Sequence, residues 1–462
     1  MSASQPQADL LIAGAGAAGM FAALVAAHHR ASVLLLERDL SGPSNLRVSG
    51  GLFPGAGTRM QAQAGIDDSA ALFASDIRAK AGGAIDPEIL DAVAGQSAAC
   101  VHFLADIAGI PVQVLHDLQA PGHSVARLHA TPGQSGRELH ALLREAVSRQ
   151  PAIRLIADAE VLDLLTRADP EGGARRVLGA QVRVGGSTHD HAAHSVLLAT
   201  GGFAANASLL AEYIPEMKGA LHIGAGANDG CAIRWGRALD AEVAFMQGYQ
   251  GQGHVNPPEG RTRLGMALPP QGAFLVNRDG RRFVAEDIGP SELAAHVLAQ
   301  PGGVALEVFD ERIHRFAMAQ GPYREAFEAG RIESARSPAE LAQRFGLAPA
   351  EFEATFARFR HAASQGRDDE FGRTRFGPAL EAPLYGAWVT GALAHTQGGL
   401  RVDRHARVLR SHGAPILGLY AAGGAAASVS GIGGAGYLPG NGLAQSFALG
   451  MLAGQHAAAH RA

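Results

Sequence analysis

At 462 residues the chain exceeds what one compact core holds, so two domains, or one domain with a large insertion, are expected. With 47% hydrophobic residues, 18% charged residues and 60 glycines, the composition excludes a disordered chain or a charged helical bundle. Lys and Arg total 39 against 43 Asp and Glu, a net charge of -4 without the footprint of a nucleic-acid binder, so the expected partner is a small molecule.

Met1 to Asp9 lacks the basic region that opens a secretory signal, and no apolar run approaches the length of a membrane span. The cytoplasm is therefore the expected location and membrane insertion is not expected. Asp9 to Ala13 reads as a short buried parallel strand, followed at once by Gly14-Ala-Gly-Ala-Ala-Gly19 and an Ala-rich helical stretch from Met20 to His29. In such a turn the first glycine permits the tight bend, the second lets the backbone approach a pyrophosphate, and the third lets helix and strand pack closely. A second strand, Ser32 to Glu37, ends in a carboxylate 23 positions after Gly14, near the spacing of a ribose-hydroxyl acceptor. His28 and His29 lie at the helix end, where they meet the dipole favourably. Cys100 and Cys231 are too few for a disulfide framework or a Cys-ligated metal, and they read as small buried residues.

Further along, Ser44 to Gly51 is a polar, Gly-terminated loop, and Val196 to Phe203 is a buried strand ending in a glycine pair. His189-Asp-His-Ala-Ala-His194 lies between the strand-like stretches Ala180 to Val184 and Val196 to Ala199, and reads as a solvated hairpin turn rather than a metal site. Gly248 to Pro270 is Gly/Pro-rich, and Pro338 to His361 is helical and charged. Gly418 to Gly424 repeats the strand-then-glycine pattern, and Gly440-Asn-Gly-Leu443 opens a small-residue helix through Gly454. Gly431 to Gly436 matches the glycine spacing again, but without the preceding strand or the following acidic one.

These segments together resemble the fumarate reductase and 3-ketosteroid dehydrogenase superfamily of flavoproteins over essentially the whole chain. The resemblance is carried by Gly14 to Gly19, Glu37, Ser49-Gly-Gly51, Ala199-Thr-Gly-Gly202, Asn228-Asp-Gly230, Val276 to Phe283, His395-Thr-Gln-Gly-Gly399, Gly418 to Gly424 and Leu438 to Gly454. It implies an α/β fold: a Rossmann-like FAD-binding domain with an inserted α+β substrate-binding cap. The FAD domain would cover 1–240 and 385–462, and the cap 241–384. It places FAD on Gly14, Gly16, Ala18, Gly19, Glu37, Arg38, Asn45, Ser49, Gly50, Gly51, Thr200, Gly201, Asp229, Gly423, Asn441, Gly442 and Leu443. The amides at Asn441 to Leu443 would face the flavin's pyrimidine end, where a helix N-terminus stabilises negative charge.

The chain departs from the fumarate reductases at two arginines. Counting from Arg282 to Glu286, the proton-donor arginine falls on Pro290, which has no charge to offer. The carboxylate-clamping arginine, which precedes Leu438-Pro-Gly-Asn441, is Tyr437, and Tyr249-Gln-Gly251 stands at the family's His-Pro-Thr triplet. The site thereby resembles the ketosteroid branch, where tyrosines do the acid/base work. The Tyr437 hydroxyl and the Asn441 amide would polarise one carbonyl oxygen, and Tyr249 is the candidate base or a packed cap aromatic. His395 and Thr396 are expected near a polar group of the substrate, unless the imidazole is satisfied by backbone carbonyls. Arg261 and Arg263 are candidates for a substrate carboxylate or are simply solvated.

The resulting expectation is an FAD-dependent dehydrogenase that introduces a double bond beside the carbonyl of a cyclic ketone, with or without a carboxylate on the same substrate, and with an unidentified electron acceptor. The same chemistry reversed, an ene-reductase with an external electron donor, is the first rival. A non-catalytic flavin-binding sensor or assembly protein is the second.

Overall fold

A computed structural model describes residues 6–168, 175–258, 262–265, 268–367 and 370–461. They divide into two compact units, Met1–Leu209 with Gly224–Tyr249 and His395–Ala462, and Leu210–Ile223 with Gln250–Ala394.

In the first unit, strand β1 (Ala8–Ala13) leads through the glycine turn into helix α1 (Ala17–His28) and strand β2 (Val33–Leu36). Leu10, Leu11, Ile12 and Leu35 are fully buried, as a strand covered on both faces requires. Each such side chain contributes about 1.5–3 kcal/mol relative to exposure. Strands β3 (Ile153–Ile156), β4 (Ala159–Ala168), β5 (Arg175–Val184), β6 (Ser187–Leu198), β7 (Arg407–Leu409) and β8 (Pro415–Ala421) complete an eight-stranded sheet. Its spatial order is β7-β8-β6-β1-β2-β3, with β5 also pairing β6 and β4 pairing β5. The β8, β6, β1, β2 and β3 strands run parallel to one another, whereas β7 on β8 and β5 on β6 are antiparallel. The chain proceeds from β1 outward to β2 and β3, then returns to the other side of β1 with β6 and β8. That reversal of strand order is the crevice where open α/β sheets bind ligands, outside the strands' carboxyl ends.

The expected turn at His189 to His194 is corrected here. The turn is Gly185-Gly186, both at positive φ (56° and 84°), with Val184 paired to Ser187, and the histidines lie within β6. Two left-handed glycines form a two-residue hairpin connection that the polar histidines do not. The strand emerges into solvent at this end, and this explains its polar composition.

The second unit holds a six-stranded sheet with Leu221–His222, Leu384–Thr396, Val304–Asp310 and Phe274–Val276 in that order. Tyr249–Val255 and Glu333–Ala335 also pair with Leu384–Thr396. The Gly/Pro-rich segment from Gly248 thus begins with a strand. Its core packs Phe274 on Phe359, rings stacked with centroids 4.4 Å apart. The helices Pro338–Arg344 and Pro349–Gln365 cover it, each opened by a proline whose missing N–H the first turn does not need. Among the described residues no helix is long and apolar enough to cross a membrane, and no group of three or more His, Cys, Asp or Glu side chains is placed to hold a metal ion.

Candidate active site

The register aligns Ala13 with Leu36 and Leu198, and Leu198 with Ala421. The turns that follow these four residues therefore open at one edge of the sheet, bringing together Gly14 to Gly19, Glu37 with Arg38, Thr200 with Gly201, and Gly423. The three glycines of the first turn have three distinct surroundings. Gly14 sits at φ +103°, and a Cβ there would lie 2.4 Å from the Ala199 carbonyl oxygen. A Cβ on Gly19 would lie 1.8 Å from the Gly14 carbonyl oxygen, whereas one on Gly16 would meet nothing within 4 Å. Gly14 and Gly19 are thus fixed by packing, and Gly16 faces open space where a ligand's phosphates can approach.

Glu37 Oε2 accepts from the Ala15 amide at 2.6 Å and Oε1 from the Asp39 amide at 3.0 Å. Each oxygen keeps a lone pair for a ribose hydroxyl. Arg38 donates to Asp229 Oδ2 at 3.1 Å and to the Ala227 carbonyl at 2.9 Å. Asn45 Oδ1 accepts from the Ala225 amide and from Asn228 Nδ2. Asn228 in turn blocks any side chain at Gly201, whose Cβ would stand 2.1 Å from its Oδ1. Ser49 Oγ donates to Leu46 O and accepts from Gly51 N, and a Cβ on Gly51 would collide with Ser135 and Gly136. Gly50 has only Leu52 nearby. Gly423 packs on Ala18, 3.1 Å from its Cβ by the same construction.

Helix α2 (Asn441–Ala459) brings in the C-terminal residues. Asn441 is 0% exposed, and among the described residues neither its Oδ1 nor its Nδ2 has a hydrogen-bond partner. A buried amide without partners is costly unless a bound group completes it. The open face at Gly16, the Glu37 carboxylate and the orphaned Asn441 amide are the donor and acceptor set that FAD calls for, and these residues fit it. Gln445, one helical turn beyond Asn441, donates to the carbonyls of Gly423, Ala426 and Ala427 and fixes that loop on α2.

A second cluster forms around the first turn of α2. The rings of His395 and Tyr437 meet edge to face with centroids 5.6 Å apart. A Cβ on Gly442 would be 3.3 Å from His395 Cε1, 3.5 Å from its Nε2 and 3.7 Å from the Tyr437 hydroxyl, so the ends of both rings converge on that glycine. Burial pushes the Tyr437 phenol up to about 12, with the neighbouring backbone of Gly442 and Gly440 pulling the other way. Burial also holds His395 down at about 4 against the opposing pull of the Thr396 carbonyl. Both side chains are neutral near pH 7. The Tyr249 amide donates to Gly433 O, and Gly433 N donates to Gln247 O, which ties Tyr249 to the loop leading into Tyr437. Thr396 Oγ1 accepts from the Phe203 amide, so this hydroxyl faces the glycine pair after β6.

Arg263 belongs to the second unit, where it bridges Val255 and burial lowers its guanidinium pKa from the usual value. Arg261 lies outside the described residues. Pro290 opens the helix Pro290–Leu298. Asn228, Gln397 and Gln445 were not among the expected site residues. All three do sit inside the segments that carried the resemblance, and Gln397 is two positions beyond His395.

The FAD binding domain family model matches residues 9–443. The NADH:fumarate oxidoreductase of Klebsiella pneumoniae (strain 342) is 30% identical over 464 residues, covering 98% of this chain and 48% of that protein. The chain thus spans about half the length of that relative. Among solved structures, the open conformation of a flavocytochrome c3 fumarate reductase superposes with a TM-score of 0.85 at 28% identity, covering 99% of this chain and 79% of that one. The 3-ketosteroid-delta4-(5alpha)-dehydrogenase from Rhodococcus jostii RHA1, in complex with 4-androstene-3,17-dione, superposes with a TM-score of 0.76 at 25% identity, covering 99% and 98%.

Proposed function

We propose that this chain, which belongs to the FAD binding domain family, works as an FAD-dependent oxidoreductase that interconverts a CH–CH bond and a C=C bond beside an uncharged carbonyl. The carrying observation is the electrical neutrality of the cluster at Gly442. Neither His395 nor Tyr437 has a charged side chain among the causes that shift it, and both shifts favour the uncharged form. Against the described residues a carboxylate placed there would be desolvated without a cation, at a cost of several kcal/mol, whereas a ketone oxygen needs only donors.

FAD, held by the glycine turn, Glu37, Asn45, Thr200, Gly423 and the start of α2, supplies the hydride chemistry. The chain's own side chains handle the carbonyl and the proton. The Tyr437 hydroxyl donates to the substrate oxygen and stabilises the enolate charge that develops when the α-proton leaves, whereas the Asn441 backbone N–H, the expected second donor, is taken by the Leu438 carbonyl at 3.0 Å. Tyr249 is the residue proposed to take this proton, with Pro290 and Tyr437 standing where the fumarate reductases, by resemblance, carry arginines. The dehydrogenating direction suits a tyrosine pair. Reduction of an enone by the same groups is the second reading, and the reductase names of the relatives favour it.

Anaerobic spectroscopy of the FAD-loaded protein tests both. Bleaching of the flavin by a saturated cyclic ketone is the expected result. Reoxidation of pre-reduced protein by cyclic enones, without bleaching by the ketone, would establish the second reading. Reoxidation by fumarate alone would overturn the neutral-carbonyl reading.

A further inference from the structure

We propose that Gln397 is a positioning residue that sets the tautomer of His395, presenting Nε2–H as a fixed hydrogen-bond donor toward Gly442. Gln397 is buried, and its side-chain nitrogen lies 3.0 Å from His395 Nδ1. An amide nitrogen only donates, so the ring nitrogen it meets must offer a lone pair. A neutral imidazole carries one N–H, which then resides on Nε2. The competing contact, Nδ1 to the Thr396 carbonyl, is 3.4 Å long and at the limit of hydrogen bonding.

The amide has little freedom to leave. The Gln397 backbone donates to Gly248 O at 2.7 Å and accepts from Ser428 N at 2.9 Å, so it is tied on both sides. A Cβ on Gly248 would stand 3.0 Å from the Gln397 Cβ, which closes the space beside it. Among the described residues Tyr437 is in ring contact with His395, and the shift of the imidazole is caused by burial and the Thr396 carbonyl, with no charged side chain among its causes. The amide also opposes protonation of Nδ1, in the same direction as the burial that lowers the histidine.

The inference deepens the neutral-carbonyl reading and rests on it for the ligand: a second N–H donor joins Tyr437 at the same point. It adds specificity against anions only through donor geometry, since the ring stays uncharged.

The test is nitrogen NMR of the FAD-loaded protein labelled at histidine, with the His395 signals identified by difference against His395→Gln. The expected spectrum has a protonated Nε2 and an unprotonated Nδ1. Gln397→Glu places a carboxylate at Nδ1 and is expected to move the proton there or to give the cation, and Gln397→Met to leave a tautomer mixture. Nδ1–H in the unsubstituted protein, or an unchanged tautomer in both variants, would overturn the proposal. Flavin content and Tm accompany each variant, so that a spectrum from a misfolded protein is not scored. A parallel assay with cyclohex-2-enone and pre-reduced protein is expected to show at least a tenfold rise in KM for Gln397→Glu. If the tautomers behave as stated but the unsubstituted protein does not turn over any enone or ketone, the substrate reading fails and the Gln397 assignment stands.

Discussion

A phenol pushed up to about 12 by burial, as Tyr437 is, donates a hydrogen bond throughout the physiological range and does not serve as a base there. Its loss should resemble the loss of one donor to a developing oxyanion, which reduces turnover by about 10²- to 10³-fold. Tyr437→Phe is therefore expected to lower kcat by about that factor with flavin content unchanged; rapid-reaction measurement of flavin reduction or reoxidation decides it, and an unchanged rate removes Tyr437 from the chemistry. The groups at the glycine turn were legible in the sequence because each has a local reason, a bend at Gly14, an approach at Gly16 and a helix contact at Gly19, even though the Ala199 carbonyl that also crowds Gly14 is remote along the chain. Gln397 was not, because its role depends on the register of His395 and on two backbone partners, Gly248 and Ser428, that are remote along the chain.

At the level of elements, α1 and α2 lie against each other through small residues. A Cβ on Gly450 would stand 3.0 Å from the Ala18 carbonyl oxygen, and one on Gly454 would stand 2.8 Å from the Ala22 carbonyl oxygen. Because both obstacles are backbone, a larger side chain can be accommodated only by separating the helices, and overpacking of this kind costs about 1–3 kcal/mol or more. Gly450→Leu is expected to lower Tm and to loosen flavin together, since Ala18 belongs to the turn that receives the phosphates. A thermal melt with flavin release read by fluorescence checks it, and a lowered Tm with full retention would separate the helix contact from the site. The β1-α1-β2 unit was readable because its apolar period and its glycines agree. The β5-β6 hairpin was placed a few residues too late, because the polar histidines of β6 outweighed the Gly185-Gly186 pair, although only the glycines have the left-handed backbone the turn demands.

For the whole molecule, buried histidines set a stability limit on the acid side. Burial holds His129 and His140 down at about 4 from the ordinary 6.5. Between these values the unfolded chain binds protons that the folded chain refuses, so stability falls as pH drops from about 6.5 toward about 4, and each group contributes a slope of up to about 1.4 kcal/mol per pH unit. Denaturant titrations between pH 7 and 4.5 are expected to show this decline, and the His129→Gln variant to show a shallower one; an equal slope in both would exclude that imidazole as a source. One consequence follows from the alignment of Ala13, Leu36, Leu198 and Ala421 at a single sheet edge. The groups around the crevice come from residues 14–19, 37–51, 200–229 and 423–443, so a growing polypeptide holds none of them in their final relation until β8 has joined β6 and α2 has settled on α1. The flavin is thus captured only after residues 423–443 have been made, and a ribosome stalled before residue 415 carries a Rossmann turn with nothing yet to close it.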